Sequence, residues 1–248
     1  MGGVKIAAVT TFNAMGKCLY GDRMMESFVR HWPEEVMLTA YAEGWTDAPE
    51  GIETIDLADA STWLSAFKAR HRGNRFKDYR HDAVRFSHKI AAVCSADASS
   101  EADVLIWIDG DVLTHADVPL DALAALAPAG EEWIAWLDRD RSYPECGFFA
   151  INRRHERHAE MMRRLERMYR EDELFALAEY HDSYVIEHVV KAAGVGAKSL
   201  SGKGKQTTHP LINGPLGAFL DHAKGQRKAA GRSNKRELVT ARSEAHWR

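Results

Sequence analysis

The chain has 248 residues, a hydrophobic fraction of 45% and a formal net charge of −3. This length and composition are typical of one globular domain with a sizeable core, and the charge argues against a generic binder of polyanions. Its three cysteines (Cys18, Cys94 and Cys146) lie far apart and are odd in number. That pattern argues against a disulfide framework and indicates a reducing compartment.

Strands and helices alternate along the sequence. We predict strands at 4–11, 36–41, 52–57, 104–108, 133–137, 146–151 and 194–200. We predict helices at 21–32, 63–70, 81–97, 121–127, 153–177 and 183–193. The alternation predicts an α/β fold whose mixed, mostly parallel sheet is flanked by helices.

No targeting or membrane segment is predicted. The first apolar stretch is short and lacks the features of a signal peptide, and Ile6 breaks the myristoylation pattern that Gly2 would begin. No run approaches the 18 apolar residues that a membrane helix needs. We therefore expect a cytoplasmic protein without a membrane span.

The segment Val-Leu-Ile-Trp-Ile-Asp-Gly-Asp at 104–111 is the most informative part of the chain. The apolar run predicts a buried strand, and Asp109 and Asp111 would emerge at its carboxyl end, where open α/β sheets bind ligands. Gly110 between them would let a ligand approach the backbone. Two carboxylates at one point suit Mg²⁺ or Mn²⁺ and favour a phosphate-bearing substrate, although an Asx turn would also place aspartate here.

A basic stripe lies on the helix that precedes this strand. His81, Arg85 and Lys89 recur every four residues on the helix predicted at 81–97. Such a stripe is typical of a solvated helix face. Alternatively, the basic edge faces the ligand expected at Asp109 and Asp111, because this helix leads directly into the strand of Asp109.

The order of these parts resembles that of the GT-A fold glycosyltransferases, from Val4 to Lys228. The resemblance implies a single Rossmann-like catalytic domain at 1–228, with a nucleotide-sugar half at about 1–115 and an acceptor half at about 116–228. It implies that Asp109 and Asp111 hold a divalent metal against the donor diphosphate, with Asp111 the more direct ligand. It also implies donor contacts from a loop after the first strand and from the helix before the Asp109 strand: Thr10, Thr11, Phe12, Asn13, Arg85 and Lys89.

A second segment resembles one subfamily. His222 to Lys228 reads His-Ala-Lys-Gly-Gln-Arg-Lys and fits the HxxGxxK pattern of family 8, the retaining galactosyl- and glucosyltransferases. The match implies that His222 is the third metal ligand and that Gly225 and Lys228 contact the diphosphate. Ala229 follows the lysine where the subfamily has Pro-Trp, and His209 is an alternative third ligand.

Two further segments resemble the family's sugar pocket. Glu145 opens Glu-Cys-Gly-Phe-Phe-Ala-Ile-Asn, which is similar to a segment that lines the donor sugar, although a plain buried strand fits 148–151 as well. Asp182 resembles an acidic position that touches donor sugar or acceptor, or it caps the helix predicted at 183–193. Glu145 and Asp182 are therefore the catalytic candidates.

The end of the chain has a different charge balance. Residues 224–248 carry eight lysines and arginines against two glutamates, so we expect a basic tail at 229–248. Such a tail is typically a solvated extension. Alternatively, it holds an anionic acceptor such as modified DNA.

These features together predict a metal-dependent enzyme that moves a sugar from a nucleotide sugar, expected to be UDP-linked, to an unidentified hydroxyl acceptor. The expected cofactor is Mn²⁺ or Mg²⁺. Three alternatives stay open. They are a phosphatase of the haloacid-dehalogenase type with Asp109 as nucleophile, a nucleotidyltransferase, and a non-enzymatic protein that binds nucleic acid.

Overall fold

Nine strands form two sheets in the computed structural model, which describes residues 3–74, 78–201, 208–239 and 241–248. The strands are β1 (Ile6–Asn13), β2 (Met37–Glu43), β3 (Ile52–Asp56), β4 (Val104–Ile108), β5 (Val112–Thr114), β6 (Glu132–Arg139), β7 (Ser142–Asn152), β8 (Gly196–Ser199) and β9 (Leu220–His222). Seven of them form the main sheet in the order β3-β2-β1-β4-β7-β6-β8, and β5 pairs with β9 in a separate ribbon.

Helices cover both faces of the main sheet. They are α1 (Ala14–Gly16), α2 (Asp22–His31), α3 (Leu57–Ala60), α4 (Leu64–His71), α5 (Ala83–Ser99), α6 (Leu120–Leu126), α7 (His158–Arg170), α8 (Asp182–Ala193) and α9 (Pro210–Asn213). Within the described ranges, no helix combines the length and the apolar character needed to cross a bilayer.

Strand direction determines which residues meet at the functional edge of the sheet. β1, β2, β3 and β4 run parallel, β7 is antiparallel to both β4 and β6, and β6 is parallel to β8. β7 alone therefore runs against the other six strands, and its first half lies beside the carboxyl end of β4. The predicted mixed, mostly parallel sheet is confirmed.

Alternating side chains of the sheet divide the core into two layers. Trp107 points into a cluster with Ile90 of α5 and Val185 of α8, whereas its neighbour Ile106 packs with Phe28 of α2 on the opposite face. This alternation is what the two-residue repeat of a strand imposes. The residues of β4 are buried on both faces, which explains why its sequence is an unbroken apolar run.

Several predicted helix boundaries are wrong. The helix predicted at 153–177 begins at His158 and ends at Arg170. It ends there because Asp172 adopts a left-handed conformation (φ 61°) and its carboxylate binds the side chains of Arg70 and His71. The helix predicted to begin at residue 21 begins earlier. Asn13 caps α1, which continues through a π-helical turn at Lys17–Gly21 into α2.

The C-terminal segment folds back onto the domain. Trp247 is buried in the core layer of α2, and its indole N–H donates to the Gly217 carbonyl at 2.9 Å. The buried carboxylate of Asp221 pairs with His246 at 2.8 Å and accepts the backbone N–H of Ser233 at 2.9 Å. Much of the segment predicted as a basic tail is therefore part of the packed structure.

We expect Trp247→Ala to destabilise the fold by about 3 kcal/mol, because truncation of a buried tryptophan removes its apolar contacts and leaves a cavity. Val239→Ala is the matched control, since Val239 lies in the same segment and is 55% exposed. Urea unfolding of the two variants measures the difference. A loss below about 0.5 kcal/mol at Trp247 would contradict the packing of this segment.

Candidate active site

Asp109 and Asp111 follow β4 directly, as the sequence predicts. The Asp109 N–H donates to the Gly147 carbonyl of β7 at 2.9 Å, which extends the pairing of the two strands past the end of β4. Gly110 lines the cavity, but the space beside its Cα is filled: an added Cβ would lie 2.5 Å from the Phe12 ring. The glycine is therefore required for packing against Phe12.

His222 reaches the two aspartates through the ribbon of β5 and β9. The register pairs Val112 with His222, one residue after Asp111. The Nε2 of His222 lies 3.1 Å from Asp111 Oδ1 and 3.9 Å from Asp109 Oδ2. Donor atoms of the three residues all lie within 4.8 Å of one another, so the structure brings together the three ligands predicted for the metal.

His209, the alternative third ligand, lies behind this group. Its Nε2 makes hydrogen bonds with the His222 carbonyl at 2.8 Å and with the Ser233 hydroxyl at 3.2 Å. Burial is the main cause that lowers the pKa of His209, to about 4, so the ring is neutral. His209 supports the backbone of β9 at this position.

Two lysines neutralise the two aspartates. Lys228 Nζ lies 2.7 Å from Asp111 Oδ2, and Lys89 Nζ lies 2.7 Å from Asp109 Oδ1. Lys89 also contacts Asp182 and donates to the Cys146 carbonyl at 2.9 Å. Burial alone would lower the pKa of Lys89, but Asp109 and Asp182 outweigh it and raise that pKa, so Lys89 is charged.

The charge of the carboxylates follows from these partners. Burial by itself would raise the pKa of Asp111, but His222 and Lys228 outweigh it and hold that pKa well below its ordinary value. For Asp182, Lys89 is the main charge that overcomes burial, and the pKa falls to about 2. Both groups are ionised near neutral pH.

The donor set suits a divalent cation. It offers oxygen from two carboxylates and one imidazole nitrogen, and carboxylate oxygens are ligands that suit Mg²⁺ and Mn²⁺. One further observation points the same way: the Nδ1 atom of His222 is buried and lacks a hydrogen-bond partner of good geometry among the described residues. A cation bound at Nε2 would put the proton of the ring on Nδ1, where it would need an acceptor.

A cavity of about 590 Å³ opens in front of this group. Its lining includes most of the predicted site, namely Thr11, Phe12, Asn13, Arg85, Lys89, Asp109, Asp111, Glu145, Asp182 and Lys228. Thr10, Gly225 and His222 are not part of that lining, and His222 lies behind the two aspartates. Thr10 is fully buried within the sheet, and Gly225 (φ 60°) begins the 3₁₀ turn that carries Lys228.

The predicted loop at Thr10 to Asn13 is wrong, because β1 continues to Asn13 and a helix begins at the next residue. The Thr11 hydroxyl donates to the Tyr41 carbonyl at 2.6 Å, which ties the strand end to β2. The residues still reach the cavity, but from the rigid edge of the sheet.

The basic stripe on α5 divides into two parts. Arg85 and Lys89 line the cavity, whereas His81 lies in the 3₁₀ turn at Tyr79–His81 and contacts Asp78 at 3.2 Å. The proposed cap role of Asp182 is taken by His181, whose Nδ1 accepts the Tyr184 N–H at 3.4 Å.

Sequence reasoning missed one polar pair in the cavity. Glu43 ends β2 and lies 2.8 Å from His88 Nδ1, and both side chains line the opening. Glu43 also accepts a hydrogen bond from the Thr11 hydroxyl at 3.1 Å. The position of Glu43 at the carboxyl end of a parallel strand was the available signal.

No family model matches the chain, and no curated protein matches it. Solved structures of glycosyltransferases do resemble it. The bifunctional glycosyltransferase WbbM matches with a TM-score of 0.55 and 13% identity over 90% of this chain and 46% of that one. Glycosyltransferase GlyE of Streptococcus pneumoniae TIGR4 matches with a TM-score of 0.53 and 17% identity over 91% of this chain and 56% of that one.

The galactosyltransferase LgtC, solved with donor and acceptor sugar analogs, matches with a TM-score of 0.50 and 13% identity over 95% of this chain and 97% of that one. The chain thus spans about half the length of the WbbM and GlyE structures and nearly all of LgtC. At these identities the likeness shows the fold, and the predicted GT-A fold is confirmed.

Proposed function

We propose that this protein is a glycosyltransferase that uses a nucleotide sugar as donor and a hydroxyl group as acceptor. One observation carries the proposal: Asp109, Asp111 and His222 meet at the carboxyl end of β4, and the two aspartates line the cavity of a fold that known glycosyltransferases share. A volume of about 590 Å³ is within the range of small-molecule sites.

A divalent cation held by these three residues would supply a Lewis acid for the diphosphate as the bond to the sugar breaks. Mn²⁺ or Mg²⁺ is the ion that the donor set favours. Lys228 and Arg85 line the same cavity and would neutralise further charge on the leaving group. UDP is the nucleotide that we propose, on the resemblance of the HxxGxxK segment.

Asp182, a further carboxylate of the cavity, would have a different role. With a pKa of about 2, Asp182 is a poor proton acceptor near neutral pH. We propose that its negative charge faces the donor sugar and stabilises positive charge that develops at the anomeric carbon. We also propose that the transfer retains the configuration of the anomeric carbon, because His222, Gly225 and Lys228 resemble the HxxGxxK segment of the retaining family 8 enzymes.

Exposed basic side chains that follow Lys228 indicate which class of acceptor the protein would attract. The segment that carries Lys228 continues into exposed basic side chains at Arg232, Lys235 and Arg236. These charges would favour approach of an anionic acceptor, for which a polyanion such as modified DNA is one candidate. A cytoplasmic location is part of the same proposal.

Calorimetric titration with UDP tests the donor site. We expect UDP to bind in the presence of Mn²⁺ or Mg²⁺, more weakly with Ca²⁺, and at least about tenfold more weakly in EDTA, because the cation links protein and diphosphate. Equal affinity in EDTA would contradict the metal site. Hydrolysis of a phosphomonoester, or release of pyrophosphate from a nucleoside triphosphate, would instead favour the phosphatase or the nucleotidyltransferase.

A further inference from the structure

The buried side of His222 is the strongest feature that the proposed reaction leaves unexplained. Its Nε2 faces the two aspartates, so Nδ1 is the ring nitrogen that points away from the metal position. Nδ1 lies 3.2 Å from Oε1 of Glu145. A histidine that binds a metal through one nitrogen carries its proton on the other, and that N–H needs an acceptor.

Glu145 is held in place to be that acceptor. Its Oε1 accepts the backbone N–H of Gly147 at 2.9 Å, and its Oε2 lies 3.4 Å from Lys224 Nζ. The carboxylate is 9% exposed, and Lys224 supplies the positive charge that a buried anion requires. Because β7 runs antiparallel to β4, residue 145 lies near the carboxyl end of β4, on the side of His222 away from the proposed metal position.

One buried atom of His222 and one of Glu145 lack a hydrogen bond of good geometry within the described part of the chain. Among the described residues, neither His222 Nδ1 nor Glu145 Oε2 has a hydrogen-bond partner of good geometry. Gly147 leaves the space that both groups use, since a Cβ there would collide with the His222 ring and with Glu145 Oε1. Because Nδ1 and Oε1 are 3.2 Å apart, the carboxylate lies within hydrogen-bond reach of an Nδ1–H.

We propose that Glu145 is a positioning residue that accepts the Nδ1 proton of His222 and holds the ring with Nε2 toward the cation. This role replaces the direct sugar contact that the family resemblance implied for Glu145. The inference rests on the proposed metal site. It adds a carboxylate–histidine–metal relay, in which Glu145 acts on the cation only through His222.

The test measures Mn²⁺ affinity directly, by electron paramagnetic resonance of the free ion, and needs no turnover. We expect Glu145→Gln to weaken Mn²⁺ binding about 10- to 100-fold, because loss of an outer partner of a metal-bound histidine has that typical effect. Glu187→Gln is the matched control, since Glu187 pairs with Lys191 on the outside of α8. Glu145→Asp is a second variant, which keeps the charge but shortens the reach, and we expect weaker binding there also.

A double-mutant cycle separates positioning from general structure. If Glu145 acts through His222, Glu145→Gln has little further effect on Mn²⁺ affinity in a His222→Ala background. Mn²⁺ binding by Glu145→Gln at the affinity of the unmodified protein, or fully additive effects in the cycle, would overturn the inference and leave the metal site standing. Absence of Mn²⁺ binding in the unmodified protein would overturn the proposed function and this inference together.

Discussion

Asp111→Asn is expected to abolish sugar transfer and donor hydrolysis, with a loss of at least about 100-fold, while the protein stays folded. The reason is that Asp111 is nearly buried between His222 and Lys228 and is one of the three residues whose donor atoms meet at the proposed cation position. A metal contact of this kind contributes several kcal/mol in the transition state, and each 1.4 kcal/mol is about tenfold in rate.

Asp140→Asn is the control for this experiment, because the Asp140 side chain is 62% exposed in the turn between β6 and β7. Release of nucleotide from candidate sugar nucleotides, followed with and without an acceptor, measures the effect. Activity in Asp111→Asn equal to that of Asp140→Asn would contradict the metal reading of this site.

Lys89→Met is expected to lower the free energy of unfolding by about 3 kcal/mol, because it leaves two carboxylates in the site without their shared cation. Lys89 Nζ contacts both Asp109 and Asp182, and its side chain is only 12% exposed. Methionine has a side chain of similar length, so the decrease in the free energy of unfolding would come mainly from the lost charge and less from lost packing. Asp109 is partly exposed, and water would therefore relieve part of the penalty.

Lys191→Met is the matched control, since the Lys191 side chain is 71% exposed and pairs with Glu187 one turn away on α8, and surface pairs of this kind contribute about 0–1 kcal/mol. Chemical denaturation of the two variants should separate them clearly. Because a divalent cation at Asp109 would supply positive charge at the same place, the Lys89→Met deficit should shrink when Mn²⁺ is present. A deficit that is the same with and without Mn²⁺ would count against a cation at Asp109.

Most strands of the main sheet can be predicted from patterns among neighbouring residues. The apolar run of β4 and the pair of acids that follows it are adjacent in sequence. The run and its abrupt end were therefore sufficient to predict Asp109 and Asp111 at a strand end. The strands that became β1, β2, β3, β6, β7 and β8 were predicted for the same reason. Short elements such as β5 and β9 were missed, because three residues do not establish a period.

Errors occurred where a side chain or one backbone conformation overrides the pattern. The charged periodicity of α7 continues past Arg170, but the left-handed Asp172 ends the helix, and its tertiary contacts with Arg70 and His71 stabilise that turn. Polar residues at the end of β1 suggested a loop, yet the strand continues because its backbone pairs with β2 as far as Asn13, and the Thr11 hydroxyl adds a bond to the Tyr41 carbonyl. Neither contact is visible in a window of neighbouring residues.

The sequence by itself determined the two carboxylates of the candidate site, because acids that directly follow a buried strand are a local feature; the HxxGxxK spacing pointed to His222 and left His209 as an alternative. Only the tertiary structure decided which histidine joins them. The register of β5 with β9 places His222 beside Asp111, while His209 bonds to the carbonyl of His222 from behind. The contact of Glu145 with His222 depends in the same way on the antiparallel course of β7. Strand register and direction are set by packing between segments distant in the chain, so no local pattern contains them.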